Sequence, residues 1–541
     1  DNANVRNALF AQVQILKSLS FRTNINYDFW GNSGWSYSQP WASSQYQWAQ
    51  LTYDENGKIT SPDTFRVYGS AGTDVGIENY FTFDDRWGDH HLTVMIGQSA
   101  SKSHGSTSNA STQKLSFPFL RTFASVAPKD YNDGSGGPNV SVRFLSYFGR
   151  INYSLKDRYL LTATIRRDGS SKFGANNRWG TFPSASLAWR ITEEPWMKDQ
   201  HVFSNLKLRL GWGQTGNANV SSSDAIPQLS ESVSYDLFNA NGDYRQIKGL
   251  AQTREIDTGL KWEASEQKNF GLDMGFLKGS LNVTLDYYIR DTKDLILSKT
   301  IRPSAGFTSI TTNFGSIRNQ GLEFGISYNK QFNEDWFFSA SFTGSADRNK
   351  AVDIGTGTTS SGPTGSGWED KQVCYNGLPL GTYQGYVVDH IIQSQGEIDA
   401  LNAAAQAKYG PGIYYDYKDT GPGNFLFKDL NGDGRITNDD KTYLGDGFPF
   451  ANFGLNLSVN YRRWDASIYM YGEVGKKILS WSKAYLTAVK GEANGYFNLL
   501  TDYALNSWTE QNHSEVYPRL TRTDMVSQYR VSDYFVEKGD Y

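Results

Sequence analysis

A single cysteine, Cys374, in 541 residues leaves neither a disulfide framework nor a thiolate metal cluster. Six histidines, no Gly-x-Ser-x-Gly elbow, no Walker loop and no Cys/His pair give catalysis little support. No run approaches the ~18 apolar residues of a spanning helix, which excludes an α-helical membrane protein. Hydrophobic residues are 38% of the chain and the mean hydropathy is −0.55. A transmembrane β-barrel escapes that exclusion, because its strands are only half apolar. The net charge of −4 removes the electrostatic case for nucleic acid, and the basic groove that single-stranded binders need is missing. No composition shift or charge run marks a domain boundary, so one large domain over 1–541 is expected. Asp1 opens the chain without a charged n-region and apolar h-region, so a signal peptide is expected to be removed or to lie outside this numbering.

Aromatic residues, in contrast, reach 15%, with 33 Tyr and 15 Trp. That suits interfacial girdles or a carbohydrate-binding lumen, the plain alternative being a β-rich composition. The stretch from Leu145 to Arg167 shows the plan. Leu145, Tyr147, Gly149, Ile151, Tyr153 and Leu155 share one strand face, against Ser146, Arg150, Asn152 and Ser154, with Phe148 the exception. Lys156-Asp157-Arg158 turns the chain, and Tyr159, Leu161, Ala163 and Ile165 resume the alternation. About seven hairpins of this design recur, among them Leu19 to Phe29, Leu281 to Ile289 with Asn282, Thr284, Asp286, Tyr288 and Arg290 inward, Leu322 to Phe342, and Leu455 to Met470 across Arg462-Arg463. A soluble sandwich shares the alternation. The connections discriminate: turns of a few residues alternate with excursions of tens, the pattern of short periplasmic turns and long outer loops. The excursions include a polar, Trp-rich one up to about Asp74, a Gly/Ser/Thr/Asn-rich segment Ser99 to Gln113, and Gly355 to Gly367. A large loop region over 395–450 carries a short helix, Gln395 to Lys408, stopped by Gly410-Pro411.

Within it, Asp429, Asn431, Asp433, Arg435 through its carbonyl, and Asp440 match the spacing of an EF-hand-like calcium loop over 429–440, with Thr437 acting directly or through water. Gly434 sits at the turning position, and the terminal Asp in place of Glu resembles dockerin-type loops. Calcium is the expected structural cofactor; the alternative is an Asx-rich turn closed by its own hydrogen bonds. Inward Phe148 and Tyr288, with Trp35, Trp41 and Trp48 in the Trp-rich loop, are the substrate-stacking candidates, lumen packing being the alternative. His90 and His91, adjacent beside a turn, face opposite sides and make poor partners for one metal. Arg166 to Phe173 reads as a lumenal salt-bridge network or an anion site.

Four segments, Arg166 to Lys198 (RRDGSSKFGANNRWGTFPSASLAWRITEEPWMK), Ser204 to Asn217 (SNLKLRLGWGQTGN), Gly315 to Ile326 (GSIRNQGLEFGI) and Phe427 to Leu457, together resemble the SusC/RagA-like family of TonB-dependent outer-membrane transporters. The resemblance implies an all-β, antiparallel transmembrane β-barrel of about twenty-two strands in the outer membrane of a Gram-negative bacterium. It also implies a plug domain, TonB as energy source, oligosaccharide or peptide substrates, a SusD-like surface lipoprotein as lid, and contact with membrane lipid or lipopolysaccharide. Plug and TonB box are not in this sequence, so a fragment of a longer protein is expected, and no catalytic residue or organic cofactor is assigned. A non-transporting surface adhesin and an outer-membrane hydrolase are the other readings; the hydrolase needs converging acid/base residues.

Overall fold

The structure is a computed structural model. It describes residues 2–38, 64–113, 123, 135–138, 141–221, 224, 229–238, 244–355, 374–480, 482–483, 499–520 and 530–541. The chain divides into two compact units: 1–199, 207–269 and 292–314 form the first, and 200–206, 270–291 and 315–541 the second.

The long strands are β1 Asn2–Leu16, β2 Leu19–Ser38, β3 Thr64–Trp87, β4 His90–Gln113, β5 Val142–Leu155, β6 Tyr159–Ser170, β7 Trp179–Arg190 and β8 Phe203–Asn217. They are followed by β9 Glu263–Phe276, β10 Leu281–Lys293, β11 Ser316–Gln331, β12 Trp336–Asp353, β13 Ala451–Tyr461 and β14 Trp464–Val474. In the first unit β1 to β8 hydrogen-bond in sequence order, and in the second β10 to β14 do the same. The paired ladders are antiparallel: Leu155 faces Tyr159, Leu187 faces Leu210, and Tyr461 faces Trp464. The expected hairpins are present, with the expected faces. Tyr147, Ile151, Ile165, Leu187, Leu210, Leu322 and Ile326 remain exposed on the apolar side. A soluble sheet would bury such a face on a core; a membrane strand presents it to hydrocarbon.

The turn at Lys156-Asp157 shows how register is fixed. Both residues are left-handed, φ 56° and 49°, and the Arg158 amide donates to the Leu155 carbonyl at 3.0 Å, which is the mirror-image turn that matches strand twist. Its φ > 0 positions are not glycine. Asp157 is held by Ser154 Oγ at 3.2 Å and by Arg86 Nη2 at 3.0 Å.

Two expectations change. Ser99 to Gln113 is the outer half of β4, paired rung by rung with β3 up to Thr64↔Gln113, and the Trp-rich stretch contributes strand up to Ser38 and again from Thr64. Beyond the membrane a strand needs no apolar face, so Ser, Thr and Gly continue a ladder that hydropathy reads as loop.

Phe148, the exception in its alternation, lies directly opposite Gly97. A Cβ on Gly97 would sit 2.6 Å from Phe148 Cζ and 2.7 Å from the Asn79 carbonyl oxygen. Phe324 over Gly344 and Phe453 over Gly472 repeat the device in the second unit. The ring covers the backbone that the glycine leaves bare, and the glycine admits the ring.

Candidate functional site

The connection between β12 and β13 folds on itself within the second unit. Thr382–Gly385 pairs with Thr442–Asp446, and Val388–Ile391 pairs with Phe425–Phe427. Helix α1, Gln395–Tyr409, turns Ile398 and Ala405 inward and ends at Gly410, whose φ of 105° no other residue adopts cheaply. The expected helix is therefore present. The core gathers Tyr386, Ile391, Ile392, Ile398, Tyr415, Phe425, Phe427 and Trp508, and Trp508 Nε1 donates to Gln393 Oε1 at 3.0 Å. At its centre Arg530 pairs with Asp416; their side chains are 4% and 3% exposed. The guanidinium carbon lies 4.4 Å from the Tyr386 ring centre, 4.5 Å from Phe427 and 4.9 Å from Tyr417. Burial raises the Asp416 pKa, and Arg530 opposes the rise. Val388–Ile391 is tied to α1 through His390, whose Nδ1 meets Asp389 Oδ2 at 2.9 Å and whose Nε2 meets Glu397. Burial works against the His390 charge, but the two carboxylates outweigh it and its pKa is raised.

The 429–440 loop closes beside this core. Asp429 Oδ1 accepts from the amides of Gly432 at 2.8 Å and Asp433 at 3.1 Å, and its Oδ2 from Gly434 at 2.6 Å. Asn431 Oδ1 accepts from Asp433 N, and Asp433 Oδ1 from Arg435 N, each at 2.8 Å. Fully buried Asp440 accepts from Leu430 N at 2.9 Å and from Thr437 N at 2.7 Å, the latter part of a capping box on the 3₁₀ turn Asn438–Asp440. Lys408 and Tyr409 at the end of α1 both donate to the Asp433 carbonyl at 2.7 Å. Ile436 plugs the loop into the core. In donor type the set suits a hard cation, being all oxygen, although Asp429 Oδ1 and Asp440 Oδ1 each already accept from two amides. It is not a preassembled cage: among the described residues no three His, Cys, Asp or Glu side chains converge as for a metal. The Tyr415 phenol nearby is pushed up to about 12, by burial first and then by the charges of Asp429, Asp416 and Asp440.

Of the stacking candidates, Phe148 belongs to the first unit and Tyr288 to the second. Phe148 has the Arg166 guanidinium 5.8 Å from its ring centre. Tyr288 donates to Asp347 Oδ1 at 2.6 Å, with Gly321 beneath its ring. Trp35 is 54% exposed and tilts over Phe65 at 6.2 Å. Trp41 and Trp48 lie outside the described residues. Arg166 binds Asp168 at 2.7 Å and Ser146 Oγ at 3.1 Å, an ion-pair network. His90 meets the Tyr153 hydroxyl and His91 meets Asp84, with no shared site.

Sequence reasoning missed Glu194. Buried, it accepts from Arg158 Nη1 at 2.8 Å, from Trp189 Nε1 at 3.0 Å and from the Tyr159 hydroxyl, joining the ends of β6 and β7. The Tyr159 hydrogen bond, outweighing the cost of burial, holds its carboxyl below the ordinary range. It missed the Asp416–Arg530 pair as well, because no sequence signal links residues so far apart.

The family described as TonB dependent receptor-like, beta-barrel matches residues 2–471. The chain belongs to that family. Among similar proteins, TonB-dependent receptor P3 of Formosa agariphila is 29% identical over 473 residues, 86% of this chain and 44% of that receptor. TonB-dependent receptor SusC of Bacteroides thetaiotaomicron is 34% identical over 339 residues, 60% of this chain and 30% of SusC. The solved structure of the RagAB peptide transporter covers all of this chain with 54% of its own, at a TM-score of 0.77 and 19% identity, which shows the fold. The SusC/RagA-like membership, the antiparallel barrel fold and the outer-membrane location expected from the sequence are thus borne out. This receptor barrel spans about half the length or less of the relatives just named.

Proposed function

We propose that this barrel is part of a TonB-dependent importer that takes up oligosaccharides or peptides, with a SusD-like surface lipoprotein as its lid. The observation that carries the reading is the separately cored platform that the β12–β13 connection builds with residues beyond β14: a transporter strand needs only a loop there, whereas a lid needs an ordered surface to rest on. The resemblance of the fold to RagAB, a peptide transporter, and the kinship with SusC support it. Uptake driven from the periplasm sets the direction of transport, and the platform docks the lid.

Calcium belongs to the same proposal. It binds the 429–440 loop with Asp429, Asn431, Asp433, the Arg435 carbonyl and Asp440 as donors, and stiffens the platform at α1. The carboxylates of Asp429, Asp433 and Asp440, crowded into twelve residues, support a cation there.

The test is a tagged copy of the full-length receptor expressed in its own host. Co-purification of a lipoprotein, and loss of growth on one glycan or peptide mixture when the receptor gene is deleted, are the expected results. A receptor that purifies alone, with growth unchanged on every glycan and peptide mixture tried, points instead to a surface adhesin.

A further inference from the structure

The outward face of the first unit carries an apolar row with two cations at its upper edge. Ile25, Ile77, Ala100, Leu145, Gly169 and Trp179 are successive partners across six strands and so share one face, the apolar one. One row further from the short turns come Tyr27, Val75, Lys102 and Arg143. Most of these residues line a groove of about 1080 Å³.

Lys102 and Arg143 are direct partners on adjacent strands. Like charges placed opposite each other repel, and a counter-charge between them relieves the cost. Among the described residues neither side chain has an ion pair, and the nearby carboxylates of Asp74, Glu78 and Asp168 alternate onto the other face, where their partners are Ser103, Ser99 and Ser146. An anion from outside the sheet would fit between them.

The height of the pair above the short turns says where that anion is. The ladder runs twelve rungs from His90↔Leu155, beside the turns, to Lys102↔Arg143. At ~3.3 Å per residue and a strand tilt of ~40°, the pair stands roughly 30 Å above the turns, just past an apolar band of ~25 Å. Trp179 and Tyr147 stack at 6.0 Å near that boundary, and Arg167 reaches over the Trp179 ring at 5.3 Å, as an interfacial girdle would. Lys102 and Arg143 therefore lie at the level of outer-leaflet headgroups, directly above an apolar row.

We propose that this groove holds a phosphomonoester-bearing lipid of the outer leaflet, its phosphate between Lys102 and Arg143 and an acyl chain along Ile25, Ile77 and Leu145. A soluble anion has no use for the apolar row, and a neutral lipid has none for the two cations. The inference rests on the barrel and its outer-membrane location, and holds whether or not the protein imports anything.

Native mass spectrometry of the intact, detergent-purified receptor tests it with dioleoyl phosphatidic acid as probe and dioleoyl phosphatidylcholine as the neutral comparison. The wild type is expected to retain one phosphatidic acid at a concentration roughly tenfold below that needed for phosphatidylcholine, since two cations near a lipid surface each add to anionic-lipid attraction. The double variant K102Q/R143Q loses the preference, K102Q alone weakens it, and Lys299→Gln, outside the groove, leaves it unchanged. Heat-modifiable migration on gels verifies that each variant is folded, and K102Q serves if the double variant is not. Equal retention of both lipids by the wild type overturns the proposal, as does a preference that survives in K102Q/R143Q. Displacement of phosphatidic acid by an equal concentration of inorganic phosphate overturns it too, because the groove would then be a soluble-anion site.

Discussion

Replacing Arg530 by Met tests whether the platform is a cooperative body held at its centre. The methionine keeps much of the stem that packs on Tyr386, Phe427 and Tyr417 but leaves Asp416 facing a buried site without its partner. Breaking a buried pair by removing one member costs ~3–5 kcal/mol. At ~1.4 kcal/mol per decade that is two to three powers of ten in the opening equilibrium. The sign with pH follows from Asp416. Its pKa already stands above the usual 3.8 because burial outweighs Arg530; without Arg530 it rises further, so the variant is worst when the carboxylate is charged and recovers as the pH falls through the raised pKa. Hydrogen exchange of the full-length receptor reads this directly. Amides in Val388–Ile391 and Phe425–Phe427 are expected to exchange about 100- to 1000-fold faster at neutral pH, after correction for intrinsic rates, with the excess shrinking in acid. Amides in β5 and β6 serve as unchanged controls. Exchange within a factor of three of wild type, or an excess that does not depend on pH, refutes the view that this pair sits at the heart of the platform.

Gly97→Val puts carbon where Phe148 Cζ and the Asn79 carbonyl already are, so the barrel should lose heat-modifiable stability by ~1–3 kcal/mol. Phe148→Ala in the same chain should recover part of that loss, and no recovery would mean that the ring is not what the glycine accommodates. His390, with its pKa raised above 6.5, stabilises the start of α1 at pH below 6.5 and loses that contribution as the pH rises through the raised value. Exchange at Gln395–Tyr409 should accordingly accelerate with pH beyond the intrinsic trend in the wild type and not in His390→Gln. For the calcium loop, chelation should speed exchange at 429–440 in the wild type and change nothing in Asp433→Ala; indifference of both proteins to chelator leaves an Asx-rich turn.

The barrel was legible because a membrane strand obeys a rule that can be read locally. Leu145 to Arg167 alternates, turns at Lys156 to Arg158 and is found as β5 and β6 with that turn. Where the rule lapses, above the membrane, reading failed: Ser99 to Gln113 has no alternation of hydropathy and is strand all the same. Phe148 was visible as an anomaly, but its cause, Gly97, sits on another strand and becomes its partner only through register. The platform was half legible. The helix expected over Gln395 to Lys408 and the spacing from Asp429 to Asp440 are local patterns and were seen. The Asp416–Arg530 pair and the Glu194 cluster depend on tertiary proximity, which no periodicity encodes.

Strands that pair only with their neighbours in sequence have an evolutionary consequence. In the second unit β12 and β13 zip together although the chain makes its long excursion from Asp353 to Ala451, while β13 and β14 are joined by two arginines. Loop-closure entropy grows only with the logarithm of length, ~0.6 kcal/mol per doubling, so between the two connections the difference is roughly 3 kcal/mol. A ladder as long as Trp336↔Tyr461 to Ala346↔Ala451 tolerates that easily. Whole loop cassettes can therefore be lengthened, swapped by recombination or grafted between paralogues at nearly constant cost to the sheet, which lets one scaffold diversify at its mouth while its wall stays recognisable.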